Sequence, residues 1–448
     1  NIIENFIVWR MNVYVNEQFP YLDFMDIRPG DRVVLKPNLV KEGKETDKNE
    51  WKCVVTSPEL IRYVANYVCE KLQGKGEVFI CDAPQTDSSF EQIDKKLGLT
   101  KIASDCTSKY GVPVRIIDLR NEEWTSEKGI ITHKKKLAGD PNGTVLFNLE
   151  KNSLFYGHKG EGNYFGADSN YEELNKHHQG TIQEYLLCAT PIMADVVISL
   201  PKMKTHKKTG VTLSIKNFVG ITADKNYLPH HTWGSPKHGG DDYPDTSFKR
   251  QFETWGSKFV KRIIINIPFI GIKMAQILRA EGEKVFGATH NTIRSGNWYG
   301  NDTTWRMTLD LNRCLIYGNP DGTFRKTKKS YYSVIDGVIA MEGAGPMQGD
   351  PKECGVYISG EDPASVDTVA TTLMGFDWRK LPVVYEAFSK HEMPISEIDP
   401  QTINIVSDIK DWRGSLDELR EKEHFDFVPY FGWKGYIELP NYQKTNDK

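Results

Sequence analysis

Short apolar runs alternate with segments of helical periodicity in the first third of the chain. β-branched residues are enriched in three runs, which predict strands at 31–40, 76–84 and 112–119. Between them, residues 57–74 repeat apolar positions at helical spacing, after the helix-starting residue Ser57 and before Gly74. A second helical pattern covers residues 88–97. This β-α-β-α-β order predicts a parallel sheet with helices on its faces.

The alternation returns later in the chain. Further strands are predicted at 194–202, 331–343, 353–360 and 402–408. Residues 362–375 predict a helix, with Asp362 as its N-cap and Pro363 in the first helical position. The pattern as a whole predicts an α/β fold with a mostly parallel sheet and helices on both faces.

Two polar stretches interrupt this pattern and suggest how the chain is divided. Residues 121–175 are polar and aromatic and predict a β-rich insertion, whereas residues 227–327 are rich in Gly, His, Trp and Asp and predict a cap over the site. The predicted division is therefore an α/β core at 28–226 and 328–410, a cap at 227–327, and a C-terminal extension at 411–448.

Polar residues follow the predicted strands at one edge of the sheet. Lys36 and Asn38 end the first strand, and Asp82 ends the second. Right-handed crossovers place these strand ends together, and open α/β sheets bind their ligands at this carboxyl edge. We expect these three residues to contact substrate.

A basic stretch follows a third apolar run at the same edge. Val196–Leu200 predict a central strand that Pro201 ends, because proline has no N–H for the ladder. Five basic residues then follow within seven positions: Lys202, Lys204, His206, Lys207 and Lys208. Such crowding is unfavourable without an anion. We expect Lys204 and His206 to be catalytic and Lys202 to bind substrate, whereas a solvated loop is the simpler interpretation of the last two lysines.

Lys216 lies in a second apolar segment, next to Asn217, which we also assign to substrate binding. The segment fits either a helix or a strand. In either case many neighbours of Lys216 are expected to be buried, so its amine either forms a structural ion pair or acts as a base, a nucleophile or an anion anchor.

Two further clusters suggest ligands. Imidazoles and carboxylates are dense around residue 235 and predict a divalent metal site at His230, His231, His238 and Asp241. Aromatic and amide groups that suit a sugar occur at Trp298, Asn301, Asp302 and Trp305. The alternatives are a polar surface loop for the first cluster and internal packing with ion pairs for the second.

A glycine-rich segment follows the strand at 331–343. Asp336 and Glu342 are the acidic partners that we expect there, Asp336 for substrate and Glu342 for catalysis. The segment lacks the G-x-G-x-x-G order of a dinucleotide site. Asp367, in the next helix, is expected to cap a segment or to be a buried partner.

Composition narrows the function classes. With 26% charged residues and a net charge of −3, the 448-residue chain does not fit a nucleic-acid protein driven by bulk charge. No run approaches the roughly 18 apolar residues of a membrane span. Seven dispersed cysteines without a C-x-x-C pair favour reduced thiols in a cytoplasmic protein and argue against an iron–sulfur cluster. The start lacks methionine and looks clipped, so a removed targeting segment stays open; oligomeric state is not predicted.

Three segments, in the order "VVLKPNLV", "ADVVISLPKMKTHKKTGVTLSIKNFVGI" and "VIDGVIAMEGAGPMQGDP…GVYISGEDPASVDTVATTLMG", resemble the domain of unknown function 362 family. The block at 294–313 is similar to a longer bacterial branch. Some relatives carry a ferredoxin-type cysteine module, which this chain lacks. A more remote similarity, through Thr205-His206 and Lys216, is to the nickel-pincer lactate racemases, and it implies active-site roles for His206 and Lys216.

These expectations combine into three hypotheses. The first is an enzyme with a Lys/His site for a small anionic or polyhydroxylated substrate, with isomerase, lyase or hydrolase chemistry and metal assistance all open. The second is a non-catalytic protein that binds an anionic cofactor or a glycan. The third is an electron-transfer accessory protein.

Overall fold

The fold is described from a computed structural model, which covers residues 11–42, 51–127, 130–167, 170–244 and 292–440. The strands are β1 (Met11–Asn16), β2 (Arg32–Pro37), β3 (Glu77–Asp82), β4 (Val114–Asp118), β5 (Glu122–Glu127), β6 (Ile130–Lys136), β7 (Thr144–Asn148), β8 (Tyr164–Phe165), β9 (His178–Gln179), β10 (Ile182–Cys188), β11 (Val196–Leu200), β12 (Lys202–His206), β13 (Gly210–Thr212), β14 (His231–Thr232), β15 (Ser330–Glu342), β16 (Asp350–Gly360), β17 (Ile403–Ser407) and β18 (Gly414–Ser415). The α-helices are Trp51–Val54, Pro58–Leu72, Phe90–Leu97, Leu99–Tyr110, Tyr171–Lys176, Ala189–Met193, Ser214–Asn217, Thr304–Tyr317, Pro363–Leu373, Pro382–Tyr385 and Leu416–Arg420.

The described residues form an 11-stranded mixed sheet in the order β18-β17-β1-β16-β15-β11-β2-β3-β4, with β12 and β13 added beside β15. Strands β15, β11, β2, β3 and β4 run parallel to one another. The long β15–β16 hairpin and the β1–β16 pair are antiparallel. The predicted α/β class and mostly parallel sheet are confirmed.

Both faces of the central strands are covered, which explains their continuous apolar runs. In β2, Val33 and Leu35 join one hydrophobic cluster, whereas Val34 joins the other. The first cluster also contains the buried face of the Pro58–Leu72 helix, and the second contains the Thr304–Tyr317 and Pro363–Leu373 helices. Side chains that alternate along a strand therefore both find an apolar partner.

The first predicted helix begins and ends close to where the sequence indicates. Ser57 is the N-cap, and its hydroxyl accepts a hydrogen bond from the Leu60 N–H. The helix ends at Leu72, and Gln73 and Gly74 both adopt positive φ angles of 52° and 77°. Glycine takes this left-handed conformation without steric cost, so it ends the helix well.

The basic stretch differs from the predicted loop. Pro201 does end β11, but Lys202–His206 form strand β12, which pairs with β15 and turns back through β13. The segment around Lys216, for which the sequence left a helix and a strand open, contains both: strand β13 is followed by the short Ser214–Asn217 helix. The hairpin takes Lys202 and Lys204 out of solvent, where a loop would have left them hydrated.

The predicted insertion contains β5, β6, β7 and β8, which fits its β-rich character. The C-terminal segment packs on the site: the Trp433 Nε1–H donates to the Lys207 carbonyl at 2.9 Å. Much of the predicted cap, residues 245–291, lies outside the described residues, so the division into core and cap stays a prediction. No helix in the described ranges is long and apolar enough to cross a bilayer.

Candidate functional site

The ends of the neighbouring parallel strands β2 and β3 bring a buried ion pair to the carboxyl edge. Lys36 Nζ lies 2.6 Å from Asp82 Oδ1, and both side chains are almost fully buried. Burial raises the pKa of Asp82, and the nearby Lys36 ammonium opposes this rise. A Cβ on Gly220 would lie 2.1 Å from Asp82 Oδ1, so the pair fits only against a glycine.

Two amides connect this pair to the basic segment. Asn217 Nδ2 donates to the Lys36 carbonyl at 2.8 Å, and Asn217 Oδ1 accepts from Asn38 Nδ2 at 3.2 Å. Asn38 Oδ1 in turn accepts from Lys204 Nζ at 2.8 Å. The structure therefore brings together four residues that the sequence had assigned to one site.

Lys204 is fully buried and has no carboxylate partner within the described ranges. Its ammonium donates to Asn38 Oδ1 and to the Val54 carbonyl, each at 2.8 Å. Burial lowers the pKa of Lys204 to about 7, and the neighbouring Lys202 and Lys216 charges act in the same direction. Since an ammonium has three N–H donors, these two hydrogen bonds leave one N–H without a partner in the described chain.

A capped four-residue helix, Ser214–Asn217, positions Lys216. Asp367 accepts hydrogen bonds from the Ser214 and Ile215 N–H groups at 2.8 and 3.0 Å, as one of the two expectations for this residue predicted. Asn312 Nδ2 donates to the Ile215 carbonyl at 2.9 Å and fixes the other end of this turn. Nothing local in the sequence links Asn312 to a segment about a hundred positions away, so this role could not be predicted from the sequence.

Lys216 itself is 9% exposed, and no hydrogen bond or ion pair of its amine is found among the described residues. Burial, together with the Lys36 and Lys225 charges, lowers its pKa to about 8. A buried, unpaired amine with a reduced pKa is typical of functional lysines.

The charge of Lys216 affects the pKa of two histidines, His206 and His230. Burial and the Lys216 charge lower the pKa of His206 and of His230 well below the usual value, so both rings are neutral. His206 Nδ1 accepts from the Lys208 and Thr209 N–H groups at 3.0 and 3.3 Å. His230 Nδ1 lies 2.9 Å from the Leu228 carbonyl. The sequence predicted His230 as a metal ligand. The effect of the Lys216 charge on its pKa depends on the fold and could not be predicted from the order of residues.

Three other predicted residues have structural partners. Lys202 Nζ forms a buried ion pair with Asp336 Oδ2 at 2.7 Å, and the same oxygen accepts from the Ser57 N–H. Glu342 bonds Lys352 Nζ at 2.8 Å and the Val428 N–H at 2.9 Å. These contacts occupy the Glu342 carboxylate, so the geometry does not favour it as a partner of Lys216 or His206.

The four predicted metal ligands do not converge. Asp241 accepts hydrogen bonds from Thr232 N, Asp302 N and the Thr303 hydroxyl. His231 stacks on Phe165 at 5.4 Å between ring centroids, and His238 ends a short 3-10 turn. No group of three His, Cys, Asp or Glu residues that could hold a metal occurs in the described part of the chain.

The residues predicted to bind a sugar form hydrogen bonds with one another and with neighbouring parts of the chain. Trp298 Nε1 donates to the Asp241 carbonyl, and Trp305 Nε1 to Asp302 Oδ1. Asp302 also pairs with Arg306 at 2.9 Å. Asn301 Nδ2 donates to the His230 carbonyl at 3.1 Å and so supports the loop that carries this imidazole. Their contacts favour the packing alternative over direct sugar binding.

Two known proteins are similar to parts of this chain. A thylakoid-associated protein of Synechocystis is 20% identical over 358 residues, which are 80% of this chain and 67% of that protein. A crystal structure of a Thermotoga maritima protein aligns with 76% of this chain at 11% identity and a TM-score of 0.30; the chain spans 52% of that protein. Neither match supports the similarity to lactate racemases, and the cytoplasmic location stays a prediction.

The family comparison covers most of the fold, including both segments that form the candidate site. Residues 33–140 and 152–372 match one family, and they contain Lys36, Asp82, Lys204 and Lys216. The chain belongs to the family described as "Domain of unknown function (DUF362)".

Proposed function

We propose that the chain is an enzyme that binds a small anionic substrate at the carboxyl edge of its sheet, with Lys216 and His206 in proton transfer. One observation carries the proposal, an imbalance of buried charge. Lys36, Lys204 and Lys216 are at most 9% exposed, yet within the described residues only Lys36 has a carboxylate partner.

Burying like charges without counter-ions is unfavourable, and a protein usually avoids it by pairing the charges or by losing a proton. An anionic ligand would provide the missing counter-charge. It would accept the unused N–H of Lys204 and any of the three of Lys216, because hydrogen bonds between ionised groups are the strong ones. The same ligand would raise the pKa of both lysines.

The reduced pKa of Lys216, about 8, supports a role in proton transfer. A general base works best when its pKa lies near the working pH, since it is then available without being too weak. The contacts of Trp298, Asn301 and Trp305 with their own neighbours make an anion a better candidate than a polyol. The proposed reaction does not use a metal, because residues predicted as metal ligands, such as Asp241 and His231, contact different neighbours.

Calorimetric titration of the purified protein with inorganic phosphate and with propionate tests the binding part. We expect one of these anions to bind, and Lys216→Met to weaken its binding at least about tenfold, the effect of one charged hydrogen bond. Lys326→Met, which removes an exposed lysine, is the matched control and should bind like the unchanged protein. Failure of both anions to bind, or an equal loss in the control, would contradict the proposal.

The proton-transfer part is tested by titrating Lys216 with isotope-labelled lysine and NMR, with Lys216→Met used to assign its signal. We expect a midpoint near pH 8 in the free protein and a higher one with anion bound. A midpoint near the ordinary 10.5 in the free protein would contradict base catalysis and would favour a non-catalytic anion-binding protein.

A further inference from the structure

One buried hydroxyl in the β12–β13 hairpin has no hydrogen-bond partner among the described residues. Thr212 is 4% exposed, and its Oγ1 lies out of contact with water. Buried polar side chains are nearly always paired, because an unpaired hydroxyl in the interior costs free energy. The hydroxyl of Thr212 is therefore a candidate for contact with a ligand.

Two other threonines of the same hairpin have structural hydrogen bonds. Thr205 Oγ1 donates to the Gly343 carbonyl at 3.1 Å, and Thr209 Oγ1 donates to the Val211 carbonyl at 2.9 Å. Each of these hydroxyls fixes a turn or a neighbouring loop. Thr212 differs from both, since no backbone carbonyl in the described chain accepts its O–H.

The strand register places the Thr212 hydroxyl on the same face as the Lys204 side chain. The two residues lie directly opposite each other in the antiparallel β12–β13 pair. The Cβ atoms of such opposite residues are about 5 Å apart and point to the same face. Val211 and Leu213, on either side of Thr212, pack in one hydrophobic cluster. Lys204 bonds the carbonyl of Val54, which packs in the other cluster.

Two amides fix the position of the Lys204 ammonium. Asn217 Nδ2 donates to the Lys36 carbonyl and to Ser199 Oγ, at 2.8 and 3.1 Å. Its Oδ1 therefore accepts from Asn38 Nδ2, at 3.2 Å, and this contact turns Asn38 Oδ1 toward Lys204 Nζ, 2.8 Å away. The ammonium is thus ordered before a ligand binds, which lowers the entropic cost of binding.

Building on the proposed function, we propose that Thr212 is a substrate-binding residue, whose hydroxyl and the remaining N–H of Lys204 bind one oxygen of the anionic substrate. Both groups are donors, so the atom that they share must be an acceptor. A charged oxygen is favoured, because hydrogen bonds between ionised groups are the strong ones. A carboxylate oxygen and a phosphate oxygen both have this chemistry, and either would satisfy two buried groups at once.

Two measurements on Thr212→Val test this assignment: calorimetric titration with propionate and with phosphate, and the melting temperature of the anion-free protein. Valine is similar in shape to threonine but has no hydroxyl. We expect anion affinity to fall about tenfold, the effect of one hydrogen bond to a charged group. The melting temperature should rise, because an unpaired buried hydroxyl is removed.

Thr371→Val is the matched control. Thr371 is fully buried in the Pro363–Leu373 helix, and its hydroxyl also has no partner within the described residues. Its replacement should likewise raise the melting temperature, but it should leave anion affinity unchanged. Thr212→Ser keeps the hydroxyl and should bind the anion nearly as tightly as the unchanged protein.

The outcomes separate this assignment from the proposed function. Unchanged anion affinity in Thr212→Val, or an equal loss in Thr371→Val, overturns the role of Thr212. A lower melting temperature in Thr212→Val also overturns it, since the hydroxyl would then have a partner in the free protein. If Lys216→Met weakens binding and Thr212→Val does not, the proposed function stands without Thr212. If the unchanged protein binds neither propionate nor phosphate, both fail.

Discussion

Two buried lysines at opposite edges of the sheet show what distinguishes a candidate site from a structural charge. Lys329 precedes β15 at the amino edge, is 5% exposed, and has a pKa lowered to about 7, chiefly by burial. Its ammonium donates to the Pro191 and Ile192 carbonyls at 2.9 and 2.6 Å. Lys216, at the carboxyl edge, has a similar burial and a pKa near 8, but no described partner.

The comparison teaches that a lowered pKa alone does not identify a functional lysine. Carbonyls near the end of the Ala189–Met193 helix satisfy Lys329, as they commonly do for cations at helix C-termini. Lys202 represents a third situation, since Asp336 neutralises it at 2.7 Å. Among these lysines, the unsatisfied one lies at the edge where α/β sheets bind ligands.

The largest effect is expected from breaking the fully paired charge. Lys202→Met leaves Asp336 buried and unpaired, which we expect to lower the free energy of unfolding by about 3–5 kcal/mol in a denaturant titration. Adding Asp336→Asn keeps an acceptor for the Ser57 N–H while removing the orphaned charge, so the double variant should regain most of the loss. Equal destabilisation of both variants would show that the pair is not the cause.

A smaller effect of opposite sign is expected at the unpaired lysine. Below pH 8, Lys216 is charged in both the folded and the unfolded chain, so the full cost of burying the charge is present. From pH 8 to 10.5 the folded chain loses this proton while the unfolded chain keeps it, so stability rises with pH and the cost disappears. Lys216→Met should therefore be more stable than the unchanged protein at pH 7, by up to about 3 kcal/mol.

This gain should vanish by pH 10.5, which a series of denaturant titrations at different pH values would reveal. Lys326→Met, at an exposed position, provides the baseline and should stay within about 0.5 kcal/mol of the unchanged protein at every pH. A loss of stability in Lys216→Met at pH 7 would mean that the amine has a stabilising partner, and the comparison with Lys329 would fail.

The smallest effect is expected at the carbonyl-bound lysine. Lys329→Met removes two hydrogen bonds, each of which contributes about 0.5–1.5 kcal/mol, but it also removes the cost of burying the charge that lowers the pKa of this lysine. These two effects oppose each other, so only a small net change in the free energy of unfolding is expected. Anion affinity should not change, since this lysine lies at the other edge of the sheet. If anion binding weakened as much as in Lys216→Met, the two edges would not be functionally distinct.

The fold was more predictable from the sequence than the site was. Apolar runs and the capping residue Ser57 place several central strands and the Pro58–Leu72 helix within a few residues of their observed bounds. The basic segment was predicted as a loop, because strand propensity does not anticipate that β12 can pair with β15 and bury Lys202 and Lys204.

The order of residues alone determines that strand ends with Lys36, Asn38 and Asp82 meet at one edge, and that Lys216 follows an apolar strand closely enough to be buried. Only the tertiary structure decides which charges are neutralised. Asp336 pairs with Lys202, and Asp82 pairs with Lys36. Backbone periodicity is local and can be read along the chain, whereas the pairing of buried charges depends on contacts between distant segments.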